Sequence, residues 1–140
     1  ARYQRDRAWT FEHQALVRAR FVAGDRRLAR RFRRLRDGIL GLARDPAKLV
    51  EDIAAMRVKM RQHLDRSDSV RYDLKQGPGG LVDLEFAVQQ AVLGAGSGLQ
   101  WPTRTAELLD MLVDAGVLDP NHAGPLRQRH DALLQASLAC

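Results

Sequence analysis

A chain of 140 residues is long enough for one domain with its own core, and an apolar fraction of 45% is that of a globular protein. One cysteine, Cys140, excludes an internal disulfide and any zinc site built from several cysteines, and makes a reducing, cytoplasmic setting the default. The net charge of +6 rests almost wholly on arginine, with lysine only at 48, 59 and 75; this suits an acidic partner, nucleic acid or mere arginine bias, and bears on association rather than fold.

No apolar run is long enough to span a bilayer, and no leader peptide is visible. The chain opens at Ala1 inside a helical pattern, as an excised piece of a longer protein would.

Helical periodicity runs almost throughout. A first helix is expected from Gln4 to Ala23, closed by Gly24, with Trp9, His13, Leu16, Arg20 and Ala23 on one stripe and Phe11, Ala15, Arg18 and Val22 on the other. Asp25 caps a second helix, where Leu28, Phe32, Leu35, Ile39 and Leu42 step by four and three as a bundle seam. Arg26, Arg27, Arg30, Arg31, Arg33, Arg34 and Arg36 avoid that seam. Asp45-Pro46 starts a third helix that runs to about Arg66, with Leu49, Ile53, Met56, Met60 and Leu64 inward.

Ser67 to Ser69 break that helix, and Val70, Tyr72 and Leu74 alternate as an extended segment. Gly77-Pro78-Gly79-Gly80 turns the chain into a fourth helix, about Leu81 to Leu93. Thr103 caps a fifth through Ala115. Asp119-Pro120 is a further possible start, and Pro125 breaks or restarts the pattern, so the last long helix is expected from Pro125 to near Leu138. The fold expected is all-α: a single helical-bundle domain, residues 1–140, of five to six helices, with one short extended segment and a Gly-rich turn between the third and fourth.

The arginines of the second helix read first as a solvated face and next as a surface for an acidic protein. Nucleic acid is disfavoured, because no helix-turn-helix or zinc pattern accompanies them. His13, His63, His122 and His130 share no metal-ligand spacing and read as structural. Gly79-Gly80 precedes a helix N-terminus, where anions can bind, and Lys75 stands nearby. The Gly-Lys-Ser/Thr ending of a phosphate loop is missing, however, so a tight turn is the better reading. Asp83 and Glu85 are two apart and point about 200° apart on a helix, so they cannot share one metal unless the helix start is distorted. Glu85 lies at the edge of the apolar face and needs a partner there; Arg20 is expected to supply it, or Arg18 if the first helix is rotated.

Two stretches, "AWTFEHQALVRARFVAGD" (residues 8–25) and "DLKQGPGGLVDLEFAVQ" (residues 73–89), resemble signatures of the bacterial glutamine synthetase adenylyltransferase/adenylyl-removing enzymes, in the same order and spacing. The second follows the pattern Asp-(Ile/Leu)-Lys-x-Gly-x-Gly-Gly-(Ile/Leu)-x-(Asp/Glu)-(Ile/Leu)-Glu-Phe, with Pro78 at a free position. The wording of the first is closer to the helical domain after the adenylylating half. The helical domain of the related PII-uridylyltransferase is the alternative, and a basic protein or nucleic-acid interaction module a further one.

The resemblance implies a larger, cytoplasmic bacterial enzyme that moves AMP from ATP, with magnesium, to a tyrosine of glutamine synthetase and removes it by phosphorolysis. PII protein, its uridylylated form and glutamine would regulate it. The Gly-Ser and paired-Asp motif of the nucleotidyltransferase domain is absent from this chain, so the segment is expected to be inactive alone, with no cofactor or metal of its own. It would dock on that domain, upstream in the same polypeptide. Lys75, Asp83, Gly79, Gly80 and Asp73 are the candidates for this junction, with Lys75 facing the nucleotide phosphates. Glu85 with Arg20 or Arg18 forms the structural pair.

Overall fold

The computed structural model describes residues 2–139 and is all-α, with seven helices and no strand among them. They are α1 (Arg2–Asp6), α2 (Thr10–Arg18), α3 (Arg26–Leu40), α4 (Pro46–Leu64), α5 (Leu81–Gly94), α6 (Thr105–Asp114) and α7 (Pro120–Ala139).

The bundle is arranged around α5, which packs against α2, α4, α6 and α7. Its sequence, LVDLEFAVQQAVLG, is apolar on more than one side, as a surrounded helix must be. Val82, Leu84, Val88, Val92 and Leu93 are buried, joined by Val17 of α2, Leu49 and Ile53 of α4, and Leu108, Leu109 and Leu112 of α6. Each such side chain contributes about 1.5–3 kcal/mol by leaving water.

The expected first helix is broken twice. Glu12 Oε2 accepts from the Trp9 N–H at 2.8 Å, which starts a new helix at Thr10 and leaves Trp9 outside as a 68% exposed cap residue. The helix then stops at Arg18, and Ala19 is extended (φ −70°, ψ 129°). Gly24, with φ +121°, therefore closes no helix; it turns the chain into Asp25, whose carboxylate caps α3 through the Arg27 N–H. Splitting this region takes the count beyond the five or six helices the periodicity suggests.

The seam expected on α3 is also displaced. Ala29, Arg36, Ile39 and Leu40 are its buried residues, whereas Leu28 is 60% exposed. Arg36 thus belongs to the interior, against expectation. Its guanidinium donates to the carbonyls of Leu16 (2.8 Å), Val17 (2.6 Å), Trp101 (2.7 Å) and Pro102 (2.9 Å). Those of Val17, Trp101 and Pro102 lie at the end of α2 and in the loop before α6, beyond the reach of helical N–H groups, and the forked donor satisfies them; the Leu16 carbonyl also accepts from the Ala19 N–H at 3.1 Å. Burial pulls the Arg36 pKa down from its ordinary value, and Asp37 opposes this. Arg44, half-buried, does similar work on the carbonyls of Ile39, Leu42 and Leu93 and donates to His13 Nδ1. His13 is then left with Nε2–H, which donates to the Gln4 carbonyl at 2.8 Å, so it is a satisfied structural histidine.

At the other end, Asp119 accepts from the Asn121 N–H, and α7 begins at Pro120 rather than Pro125. Pro125 falls inside the second turn, where its missing N–H removes one early bond without ending the helix. Arg127 fastens α7 to α6 through the Ala106 carbonyl (2.9 Å) and the Asp110 carboxylate.

Candidate functional site

Between α4 and α5 the chain makes a self-closed loop. Its first part is held by carboxylates acting on the backbone. Asp68 accepts from the N–H groups of Val70 and Arg71, and Asp73 from those of Lys75, Gln76 and Arg66. The bond from Gln76 leads in holding the Asp73 carboxyl below the usual 3.8, with burial opposing and Lys75 and Arg66 assisting. The segment at 70–75, expected as extended, pairs with no strand; from Leu74 it is a turn. The carboxylate bonds shape it, and alternation of apolar residues does not.

The glycines are required for different reasons. Gly79 has φ +76° and open space around it, so only its backbone conformation calls for glycine. Gly77 and Gly80 have no room: a Cβ at 77 would lie 2.7 Å from the Asp73 carbonyl oxygen, and one at 80 would lie 2.8 Å from that of Leu74. The close approach at Gly80 lets the loop cap α5. Leu81 N–H donates to the Leu74 carbonyl (2.9 Å) and Val82 N–H to that of Lys75 (3.1 Å), while Asp83 N–H and Leu84 N–H return to Gly80. A helix N-terminus attracts anions through free N–H groups. Here the first four are already bonded inside the protein, so the turn is no phosphate cradle.

Asp83, in the first turn of α5, points at α4. It is bonded to Arg57 Nε, to Arg61 Nη2 (2.8 Å to Oδ2) and to the Gly79 N–H (2.6 Å). Burial alone would raise its pKa; the Gly79 bond, the Arg57 bond and the two guanidinium charges outweigh burial and hold it below the usual 3.8. Arg57 is buried, and its other nitrogens donate to the Gln76 carbonyl (2.6 Å) and side-chain oxygen (3.3 Å). Loop, α4 and α5 are therefore joined through one guanidinium.

Glu85, half-buried, is paired with Arg18 at the end of α2. Arg20 is not the partner, because the helix ends at Arg18 and the extended chain carries Arg20 away from the stripe it was assigned to. Lys75 is exposed, and its ammonium has no carboxylate in ion-pair reach among the described residues. Lys75, Asp73, Gly79, Gly80 and Asp83 thus lie together, and all five are engaged in closing the loop or its cap, Lys75 through its backbone alone.

This donor set does not fit a magnesium–nucleotide site. Magnesium needs carboxylate oxygens free to coordinate. Asp83 is taken by two arginines, Glu85 by a third on another face, and Asp73 by three backbone donors. Sequence reasoning missed Arg57, Arg61 and Gln76 altogether. Arg57 continues the i, i+4 row of Leu49 and Ile53, and a cation on that row was the signal that a buried carboxylate faced it.

An all-α domain whose central helix is entered through a glycine-closed loop is the class defined here. Residues 51–139 match the family model described as GlnD PII-uridylyltransferase, and residues 1–35 match the one described as glutamate-ammonia ligase adenylyltransferase. Whole-length similarity is to the bifunctional glutamine synthetase adenylyltransferase/adenylyl-removing enzymes. The chain is 52% identical over 141 residues to that of Xanthomonas campestris pv. campestris, covering 99% of this chain and 15% of the relative. Against that of Stenotrophomonas maltophilia it is 50% identical over the same shares, and against that of Shewanella loihica 56% identical over 91 residues, 65% of this chain and 10% of the relative. The chain belongs to the glutamine synthetase adenylyltransferase/adenylyl-removing family, and it spans 15% of the length of the first two relatives.

Proposed function

We propose that the chain is the helical domain of an enzyme that transfers AMP from ATP to a tyrosine of glutamine synthetase and removes it by phosphorolysis. In this reading the chain contributes no catalytic group. It docks through the 73–80 loop on an upstream nucleotidyltransferase domain, where ATP and magnesium supply the phosphoryl chemistry. Glutamine synthetase as substrate, PII protein and its uridylylated form as regulators, and a bacterial cytoplasmic setting belong to the same proposal; the similarity to the named enzymes supports it.

The observation that carries the junction is Lys75, an exposed cation with no carboxylate partner among the described residues, on a loop that is otherwise closed by its own bonds. A loop already closed by its own bonds spares the backbone ordering cost when a phosphate arrives, leaving only the lysine side chain to be ordered, and a charge-assisted bond to phosphate is among the strong ones. Asp73, Gly79, Gly80 and Asp83 act as positioning residues behind it. The match of residues 51–139 to the uridylyltransferase model favours a second reading, the helical domain of that enzyme. Identity of 52% across 99% of the chain favours the adenylyltransferase.

The test is Lys75→Ala in the full-length enzyme. Adenylylation kcat/KM for ATP should fall on the order of tenfold or more, with an unchanged melting temperature and partial rescue by Lys75→Arg. Normal turnover would overturn the junction.

A further inference from the structure

The most conspicuous surface outside the loop is the outer face of α3. Leu28, Phe32 and Leu35 are spaced by four and three, which is the spacing of a helix–helix seam, yet α3 turns its other face to the bundle. The extended residues after α2 lie beside this unused seam. Phe21, Val22, Leu28, Phe32 and Leu35, with Arg20 and Arg31 at the edges, enclose a groove of about 470 Å³. Val22 is 84% exposed and Leu28 60%. Arg26, Arg27, Arg30, Arg31, Arg33 and Arg34 are all exposed, and none has a carboxylate in ion-pair reach among the described residues.

We propose that this groove is the docking site for an acidic amphipathic helix of a partner protein. Apolar side chains at helical spacing on the partner would fill the row made by Leu28, Phe32 and Leu35, as in other helix-in-groove complexes. Acidic residues flanking them would neutralise the arginines, which stand three and four apart on α3 and repel one another in the free chain. The charge selects the occupant. A second copy of this chain would set the same arginines face to face. A flat bilayer surface would meet the protruding Val22 and Leu28 but would leave Phe32 and Leu35, half-buried at the floor of a concavity, without a partner. Nucleic acid would meet the arginines but leave the apolar floor without a role. The site does not depend on the Lys75 junction.

The experiment uses the full-length protein and a fluorescein-labelled helical peptide with leucines at i, i+4 and i+7 flanked by glutamates, read by anisotropy. Leu28→Glu should weaken binding at least about tenfold, and Arg30→Glu/Arg34→Glu at least about fivefold with a shallower salt dependence. Both variants should melt as the parent does, and Lys75→Ala should bind the peptide normally. Equal binding of a lysine-flanked peptide, or binding indifferent to both variants, would overturn the proposal. So would phosphatidylserine vesicles or duplex DNA that bind in a Leu28-dependent way while the peptide does not. A peptide that fails to bind while Leu28→Glu lowers the melting temperature would place the rest of the polypeptide in the groove, and would also overturn it.

Discussion

Arg57 and Asp83, 26 residues apart, meet where α4 passes the start of α5, and the same guanidinium that bonds the carboxylate also holds the Gln76 carbonyl at 2.6 Å. Breaking a buried pair by removing one partner strands the other, at a cost of about 3–5 kcal/mol. Arg57 is nearly buried, but Asp83 keeps some contact with water and a second arginine, so the two deletions should differ. Arg57→Ala should destabilise by about 3 kcal/mol and Asp83→Asn by about 2 kcal/mol, measured as shifts of the urea midpoint at constant slope. Equal effects near zero would show that the loop is held by its backbone bonds alone.

The same pair sets an acid limit. Asp83 has a folded pKa below its unfolded value of 3.8, so its contribution to stability is complete above that value and is lost as pH falls through the folded pKa. Asp68 and Asp73 are shifted in the same direction by backbone donors of the same loop. Urea midpoints taken from pH 7 downward should stay level with respect to these groups until the pH nears 3.8 and then drop. Asp83→Asn should start lower and drop less steeply. A variant that parallels the parent at every acid pH would refute a role for Asp83 in this loss.

The glycines of the loop give a graded test. At Gly79 alanine meets open space and suffers only the positive φ, worth about 1 kcal/mol. At Gly80 the added carbon would press on the Leu74 and Gly77 carbonyl oxygens, at 2.8 and 2.9 Å, and force apart the bonds that cap α5. Gly80→Ala should therefore cost about 2–3 kcal/mol, within the range of severe backbone substitutions. Hydrogen exchange of the Leu81 and Val82 amides should accelerate in Gly80→Ala and change little in Gly79→Ala.

The helical class and the positions of α4, α5 and α6 were legible because Leu49, Ile53, Val88, Val92, Leu108 and Leu112 repeat at helical spacing, and Asp45-Pro46 marks a helix start. The breaks around α2 were not legible. No glycine or proline stands between Arg2 and Ala23, and the sign of a new start, Glu12 reaching the Trp9 N–H, follows a residue that is not a usual cap. On α3 the apolar period was right for Ile39, but it also picked Leu28, which is exposed, and Phe32 and Leu35, which are only half-buried, and it passed over Arg36 on the buried face. A charged residue satisfied by four backbone carbonyls is invisible to an apolar pattern. The loop's glycines were legible as a turn. The partners of its carboxylates depended on tertiary packing that spacing along one helix does not encode, which is why Asp83 was left without Arg57.

Arg18 and Glu85 form the contrasting ion pair. Arg18 is 47% exposed and Glu85 21%, so water already solvates much of the charge and salt screens the remainder. The pair joins the end of α2 to α5, yet it should contribute only about 0.2–1 kcal/mol. Arg18→Ala and Glu85→Ala should each lower the urea midpoint slightly, with a coupling in the double-mutant cycle that shrinks as sodium chloride rises. The exchange Arg18→Glu/Glu85→Arg should recover most of the loss, because a pair this exposed depends on sign more than on fork geometry. If the exchange is as damaging as either single reversal, then the orientation of the guanidinium at the end of α2 is fixed by more than its charge. The pair would then be one of position, like Arg57 with Asp83, and not only of electrostatics.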